Sequence, residues 1–183
     1  MGTLLFSDLG TNGHSPYQRG DWAKVAIHNE TEIRGFFGPY RWLSNFEPCR
    51  IVYDNVEYPT SENAYKATRA LPEFRHLFTT CSPMEAIQLG ESLPRLSMEE
   101  WQAKRVSVMR DILFIKFSEN PHLKEKLLNT KNSYLEERLW WRDTFWGYDV
   151  NLQRGENKLG HLLMGVRSCL RQDTSHLTFP AHW

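Results

Sequence analysis

At 183 residues, with 40% hydrophobic and 24% charged residues and no strong Gly or Pro bias, the chain has the make-up of one globular domain, or of one domain with an arm. Basic and acidic residues balance at 22 each, which excludes a global cationic field that gathers nucleic acid non-specifically, so a polyanionic partner must be held by a local site. The three cysteines, Cys49, Cys81 and Cys169, have no close pairing and point to reduced thiols rather than to a disulfide framework or a zinc site.

Met1 to Gly20 lacks a basic stretch followed by an apolar one, and the longest internal apolar run is the short Ile112-Leu113-Phe114-Ile115. Cytosol is the expected compartment, with no membrane partner. Residues 1–30 are rich in Gly, Ser, Asn and His without a sustained period, so 1–32 reads as an extended or loosely packed arm, and the core begins near Ile33. Ile51-Val52-Tyr53 and Val56-Glu57-Tyr58 flank Asp54-Asn55, which tolerates the positive φ angles of a two-residue turn, and predict a β-hairpin.

Ser61 to Ala70 reads as a helix with Thr60 or Ser61 as its cap, which places Glu62 in the first turn. Ser82-Pro83-Met84-Glu85 is a capping box with Pro at the first helical position, and Gly90 suits the stop of a short helix. Ser97-Met98-Glu99-Glu100 opens the longest helix. Trp101, Arg105, Val108, Ile112 and Ile115 follow at helical spacing until Asn120-Pro121. His122 to Asn129 continues as helix, Leu135 to Arg142 fits either helix or strand, Gly147 to Gly155 reads as loop, and Asn157 to Arg171 closes the core as a helix. The expected fold is mainly α, of the α+β class with one small β-hairpin, in a compact multihelical domain over 33–171, with a tail at 172–183.

Glu62, Lys66 and Arg69 lie at i, i+4 and i+7 and share one helix face, either as a solvated ion-pair stripe or as one acid facing two bases in a site. Trp140-Trp141-Arg142-Asp143-Thr144-Phe145-Trp146-Gly147 packs three tryptophans and an acid into one segment, as an aromatic staple or as a functional loop; Asp143 also suits a turn or cap. Gly155-Glu156-Asn157-Lys158-Leu159-Gly160 opens the last helix. There Asn157 is a cap after a Gly turn, or the free N–H groups meet a phosphate.

Four blocks in order resemble the NADAR family: Phe36-Phe37-Gly38-Pro39-Tyr40 with Leu43-Ser44-Asn45-Phe46; Tyr58-Pro59-Thr60-Ser61-Glu62-Asn63-Ala64-Tyr65; Trp101 to Arg105 with Met109 to Lys116-Phe117; and Asp143-Thr144-Phe145-Trp146-Gly147 through Gly155-Glu156-Asn157-Lys158-Leu159-Gly160 to Leu163-Met164 and Arg167. The resemblance implies a mainly helical fold and N-glycosidase chemistry, either removal of ADP-ribose from guanine bases or hydrolysis of early riboflavin-pathway intermediates. Neither use needs a metal or an organic cofactor. The implied partner is ADP-ribosylated guanosine or a related nucleotide, free or in modified DNA or RNA. The alternatives are a pyrimidine nucleotide of riboflavin synthesis, or a non-catalytic module that binds ADP-ribose.

The resemblance places the family's acids on Glu62 and Asp143 and its tryptophan before the long helix on Trp101. Ser44, Asn45, Phe46, Trp146, Gly147, Asn157 and Lys158 are then expected to line a nucleotide pocket, with Arg41 and Lys158 on phosphates. Two positions depart from the family: Asn63 replaces the usual His, and Arg69 the usual Lys. A guanidinium stays protonated and is no practical amine nucleophile, so Lys66, one turn earlier, is the candidate for any amine chemistry, with Arg69 left as a binding residue.

Overall fold

The computed structural model describes residues 21–172. In chain order the elements are α1 Trp22–Val25, β1 Ile27–His28, β2 Glu32–Arg34, β3 Ile51–Tyr53, β4 Val56–Tyr58, α2 Ser61–Arg69, α3 Pro83–Ser92, α4 Met98–Ser118, α5 Pro121–Asn129, β5 Tyr134–Glu136, β6 Arg138–Leu139, β7 Tyr148–Asp149 and α6 Lys158–Arg171. Tight 3-10 turns lie at Gly38–Leu43 and Pro72–Phe78. Among the described residues the fold is mainly α, and its β content is three small sheets rather than one hairpin. These elements form two compact units, one of residues 21–44 and 132–164, the other of 45–131 and 165–172.

In the second unit the hairpin forms as expected. Ile51 pairs with Tyr58, and Asp54 and Asn55 both take positive φ (50° and 60°), the turn geometry that suits the right-handed twist of the strands. Its Pro59-Thr60 exit leads into α2, where Thr60 Oγ1, rather than Ser61, accepts from Asn63 N at 3.2 Å. Both expected capping boxes close, at Ser82/Glu85 and Ser97/Glu100. α3 runs past Gly90 to Ser92, because Gly90 serves packing and not termination: a Cβ there would lie 3.3 Å from Lys66 Cδ. Ile112, Leu113 and Phe117 of α4 are fully buried, each contributing about 1.5–3 kcal/mol.

In the first unit, residues 21–32 are not a loose arm; residues 1–20 of that expected arm, and the tail from 173, lie outside the described residues. Val25 is buried, and Ile27 and His28 pair with Arg34 and Ile33. β2 then pairs in parallel with β5, Ile33 against Leu135. The ambiguous Leu135–Arg142 stretch resolves into the end of β5 and the short β6, with a bend from Trp140 to Arg142, and the expected loop at Gly147–Gly155 contains β7, paired in parallel with β6. Glu136 is buried between Arg34 (3.3 Å) and Arg138 (2.9 Å), which satisfies its carboxylate inside the sheet.

Candidate active site

Six of the nine residues of α2 are buried. The other three are Glu62, Lys66 and Arg69, so the only water-reachable line of this helix is its one acid and two bases. The side chains of Glu62 and Lys66 are only 13% and 18% exposed, with Lys66 Nζ 3.8 Å from Glu62 Oε1. This is no solvated stripe. A partly buried pair acts through a lower effective dielectric than a surface pair, so each charge is felt more strongly by a third group placed beside it. The stem of Lys66 lies against Gly90 of α3, which fixes where the amine emerges.

Glu62 is held at its backbone, where its N–H donates to the carbonyl of Asn45 at 3.0 Å. Asn45 Nδ2 faces the sulfur of Met109 at 3.6 Å, and Asn45 Oδ1 is buried without a hydrogen-bond partner, as is the hydroxyl of Ser61 beside Glu62. Phe46 is half-buried. Trp101 packs against Tyr65 of α2 with ring centroids 4.9 Å apart and the planes tilted by 55°, and it is buried, so it braces the helix. Arg69 NH1 lies 3.3 Å from Glu91 of α3. All of these residues lie in the second unit.

The first unit carries the remaining expected residues. Asp143 Oδ1 accepts from the N–H groups of Phe145 (3.1 Å) and Trp146 (2.9 Å), so Asp143 shapes the turn that presents Trp146. Asn157, at φ 48°, spends its side chain on Glu137 N (3.0 Å), Leu135 O (2.9 Å) and Tyr134 OH (3.1 Å). The free N–H groups expected there are also spent. The amides of Glu156, Asn157, Lys158 and Leu159 donate to the carbonyls of Thr144, Gly147, Phe145 and Trp146, so these four are not available to a phosphate. Lys158 pairs with Glu156 at 3.3 Å. Gly147 and Gly160 are required by close approach: a Cβ would meet Glu137 O at 2.5 Å and the carbonyl of Leu135, respectively. Arg41 is exposed on the Gly38–Leu43 turn, and Ser44 N–H donates to its carbonyl at 2.9 Å.

Residues 30–171 match the model of the NADAR domain. The chain belongs to the NADAR family. It is 34% identical over 133 residues to the N-glycosidase YbiA of Escherichia coli, covering 72% of this chain and 82% of that protein. It is 33% identical over 152 residues to a riboflavin biosynthesis protein of Vibrio vulnificus, and 32% identical over 171 to the riboflavin biosynthesis protein PYRR of Zea mays. These matches span 81% and 84% of this chain but only 39% and 26% of those longer proteins. The NMR structure of E. coli YbiA superposes with a TM-score of 0.69 at 28% identity, covering 85% of this chain and 95% of that one.

One departure of this NADAR chain has a structural explanation. Asn63, where the family usually has His, is fully buried; its Nδ2 donates to Phe78 O (3.0 Å) and Cys81 O (2.8 Å), and its Oδ1 accepts from Thr60 Oγ1 (2.5 Å). It ties α2 to the turn after it. Sequence reading also passed over Asp149, a fully buried carboxylate that accepts from the N–H groups of Arg142, Asn151 and Leu152 at 2.6–2.9 Å. No spacing signal marks it, because its partners are backbone amides on both sides of a loop. Burial holds all three thiols above the usual cysteine range, and no cysteine is bridged. Among the described residues, no group of three or more His, Cys, Asp or Glu could hold a metal ion, and no helix is long and apolar enough to cross a membrane.

Proposed function

We propose that this NADAR chain is an N-glycosidase that hydrolyses the bond between a ribose and a base, with ADP-ribosylated guanine, in a nucleoside or a nucleic acid, as its substrate. The partly buried Glu62–Lys66 pair on the one accessible line of α2 carries the reading. The likeness to an enzyme named as an N-glycosidase, matched over 82% of its length, supports it.

Cleaving a C–N glycosidic bond builds positive charge on the ribose and negative charge on the departing base. Glu62 supplies the anion beside C1′. In the same step the oxygen of a water bonds to C1′, its proton passes to Glu62, the C1′–N bond breaks, and the base nitrogen takes a proton from the Lys66 ammonium as it leaves. Lys66 places a cation one turn along, where it counters developing negative charge or serves as an amine. Trp101 braces α2 through Tyr65, and Asp143 is a positioning residue for Trp146. The assignment of Glu62 follows by analogy with glycosidase carboxylates.

The riboflavin biosynthesis proteins among the relatives favour a second reading in which the same chemistry acts on a pyrimidine nucleotide. Incubation with ADP-ribosylated guanosine, free and in DNA, and in parallel with a ribosylated pyrimidine phosphate, decides between the two by mass spectrometry. The expected result is free ADP-ribose, and none from a folded Glu62→Gln variant. No release from either guanine substrate removes the preferred substrate, and near-normal release by Glu62→Gln removes the acid.

A further inference from the structure

We propose that Arg69 is a preset clamp for the phosphate of a phosphorylated riboside, and that Glu91 is the positioning residue that sets it. The proposal rests on the reading that Glu62 faces the ribose. It replaces the spent amides at the start of α6 with a different phosphate contact.

Glu91 shares its carboxylate between two guanidinium groups: Oε1 lies 3.3 Å from Arg69 NH1, and Oε2 lies 3.0 Å from Arg95 NH1. Arg95 is itself anchored, since the same nitrogen donates to the carbonyls of Gly90 (2.9 Å) and Glu91 (2.8 Å) in the last turn of α3. Glu91 is thereby held from behind and takes one nitrogen of Arg69 in a fixed direction. Two cations and one anion leave one positive charge on the cluster.

The other side of Arg69 is its Nε and NH2 edge, two parallel N–H donors whose spacing matches two oxygens of a phosphate. That edge meets no oxygen. Nε is buried without a partner, and NH2 faces the sulfur of Met98 at 3.6 Å, a weak acceptor. Met98 is the first residue of α4 and is 55% exposed, so its unbranched side chain can leave and an oxyanion take its place. A buried guanidinium Nε without an acceptor is costly in the unliganded protein, and a phosphate removes that cost.

The helix sets the length of the substrate. From Glu62 to Arg69 the axis rises roughly 10 Å, and the two side chains, leaning toward each other, shorten that gap toward the distance between the anomeric carbon and the phosphate or diphosphate of a riboside. The class of ligand is therefore a riboside phosphorylated on the sugar side, whichever base it carries, and not a neutral nucleoside.

Calorimetric titration of the full chain with ribose 5-phosphate, ribose and inorganic phosphate tests this without turnover. The wild-type chain is expected to bind ribose 5-phosphate at least about tenfold more tightly than ribose, the worth of one charge-assisted pair. Arg69→Gln should erase that preference, and Arg69→Lys should keep only part of it, because an ammonium is a point charge without a fork. Glu91→Asp keeps the charge but withdraws the carboxylate, and should weaken ribose 5-phosphate binding severalfold in the wild type and not at all in Arg69→Gln. Equal binding of ribose and ribose 5-phosphate, or a preference that survives Arg69→Gln in a variant of unchanged Tm, overturns the clamp. An effect of Glu91→Asp that persists in Arg69→Gln overturns the role of Glu91. A chain that shows the preference yet releases no base from any riboside counts against the hydrolase reading and leaves the clamp standing.

Discussion

Replacing Asn63 by Asp changes one side-chain nitrogen to oxygen at a site with no access to water, and that single atom faces two carbonyls. In the parent chain Nδ2 donates to Phe78 O and Cys81 O at 3.0 and 2.8 Å. An ionised carboxylate there loses both bonds, leaves two acceptors unmatched and sets a negative charge against them. At about 1–3 kcal/mol for each orphaned group, the loss at pH 8 is about 3–5 kcal/mol. Protonation relieves part of it, since the acid hydrogen can donate to one carbonyl. The folded-state pKa of this new carboxyl is therefore raised above its unfolded value near 4, so its proton stabilises the folded state. The variant's stability is best below the unfolded pKa and is lost as pH rises through the folded one, by about 2 kcal/mol in all. Urea unfolding of both chains at pH 5 and pH 8 measures the difference, with the parent chain cancelling the titration of other groups. A destabilisation under about 1 kcal/mol, or one that shrinks as pH rises, would refute the two-carbonyl clamp and with it the way α2 is held.

Asp149→Asn sets an amide group against backbone donors that approach at 2.6–2.9 Å; it should cost about 2–4 kcal/mol in urea unfolding, and a loss within 0.5 kcal/mol, roughly the scatter of surface changes, would show that the loop does not depend on the carboxylate. Lys66→Ala should lower kcat by about a hundredfold, in the range for a positioned proton-transfer group, with Tm nearly unchanged; full activity would remove Lys66 from the chemistry. Glu85 is held below the usual carboxylate range by its hydrogen bond to the Ser82 backbone, and Glu100 by its bond to Ser97. The stability these boxes add is present above the unfolded pKa and is lost as pH falls through the lowered folded values, so the double Glu→Gln variant should show a flatter stability curve between pH 5 and 3, read by thermal melts.

The helices were legible because their signals are local: the boxes at Ser82 and Ser97 and the breaker Asn120-Pro121 lie within a few residues of the ends they mark. The sheet of β1, β2 and β5 was not, since two- and three-residue strands show no period and Arg34 meets Glu136 from 102 positions away. The stripe of Glu62, Lys66 and Arg69 could be read from spacing, but its burial could not. Burial is decided by what covers the other six residues of α2, which the helix itself does not encode. Asn157 was expected at the right place with the wrong duty. Its amide does not cap the helix but crosses to β5, a partner 22 positions back in the chain.

Gly90 touches no reacting group, yet it sets how near α3 comes to the stem of Lys66. A methyl group there would meet carbon at 3.3 Å, tight enough to displace the lysine chain by a few tenths of an ångström. The amine would then shift relative to Glu62, with every charge in the line unchanged. Position 90 is thus a tuning point from which selection or design can adjust the spacing of acid and amine, separating the geometry of the pair from its composition.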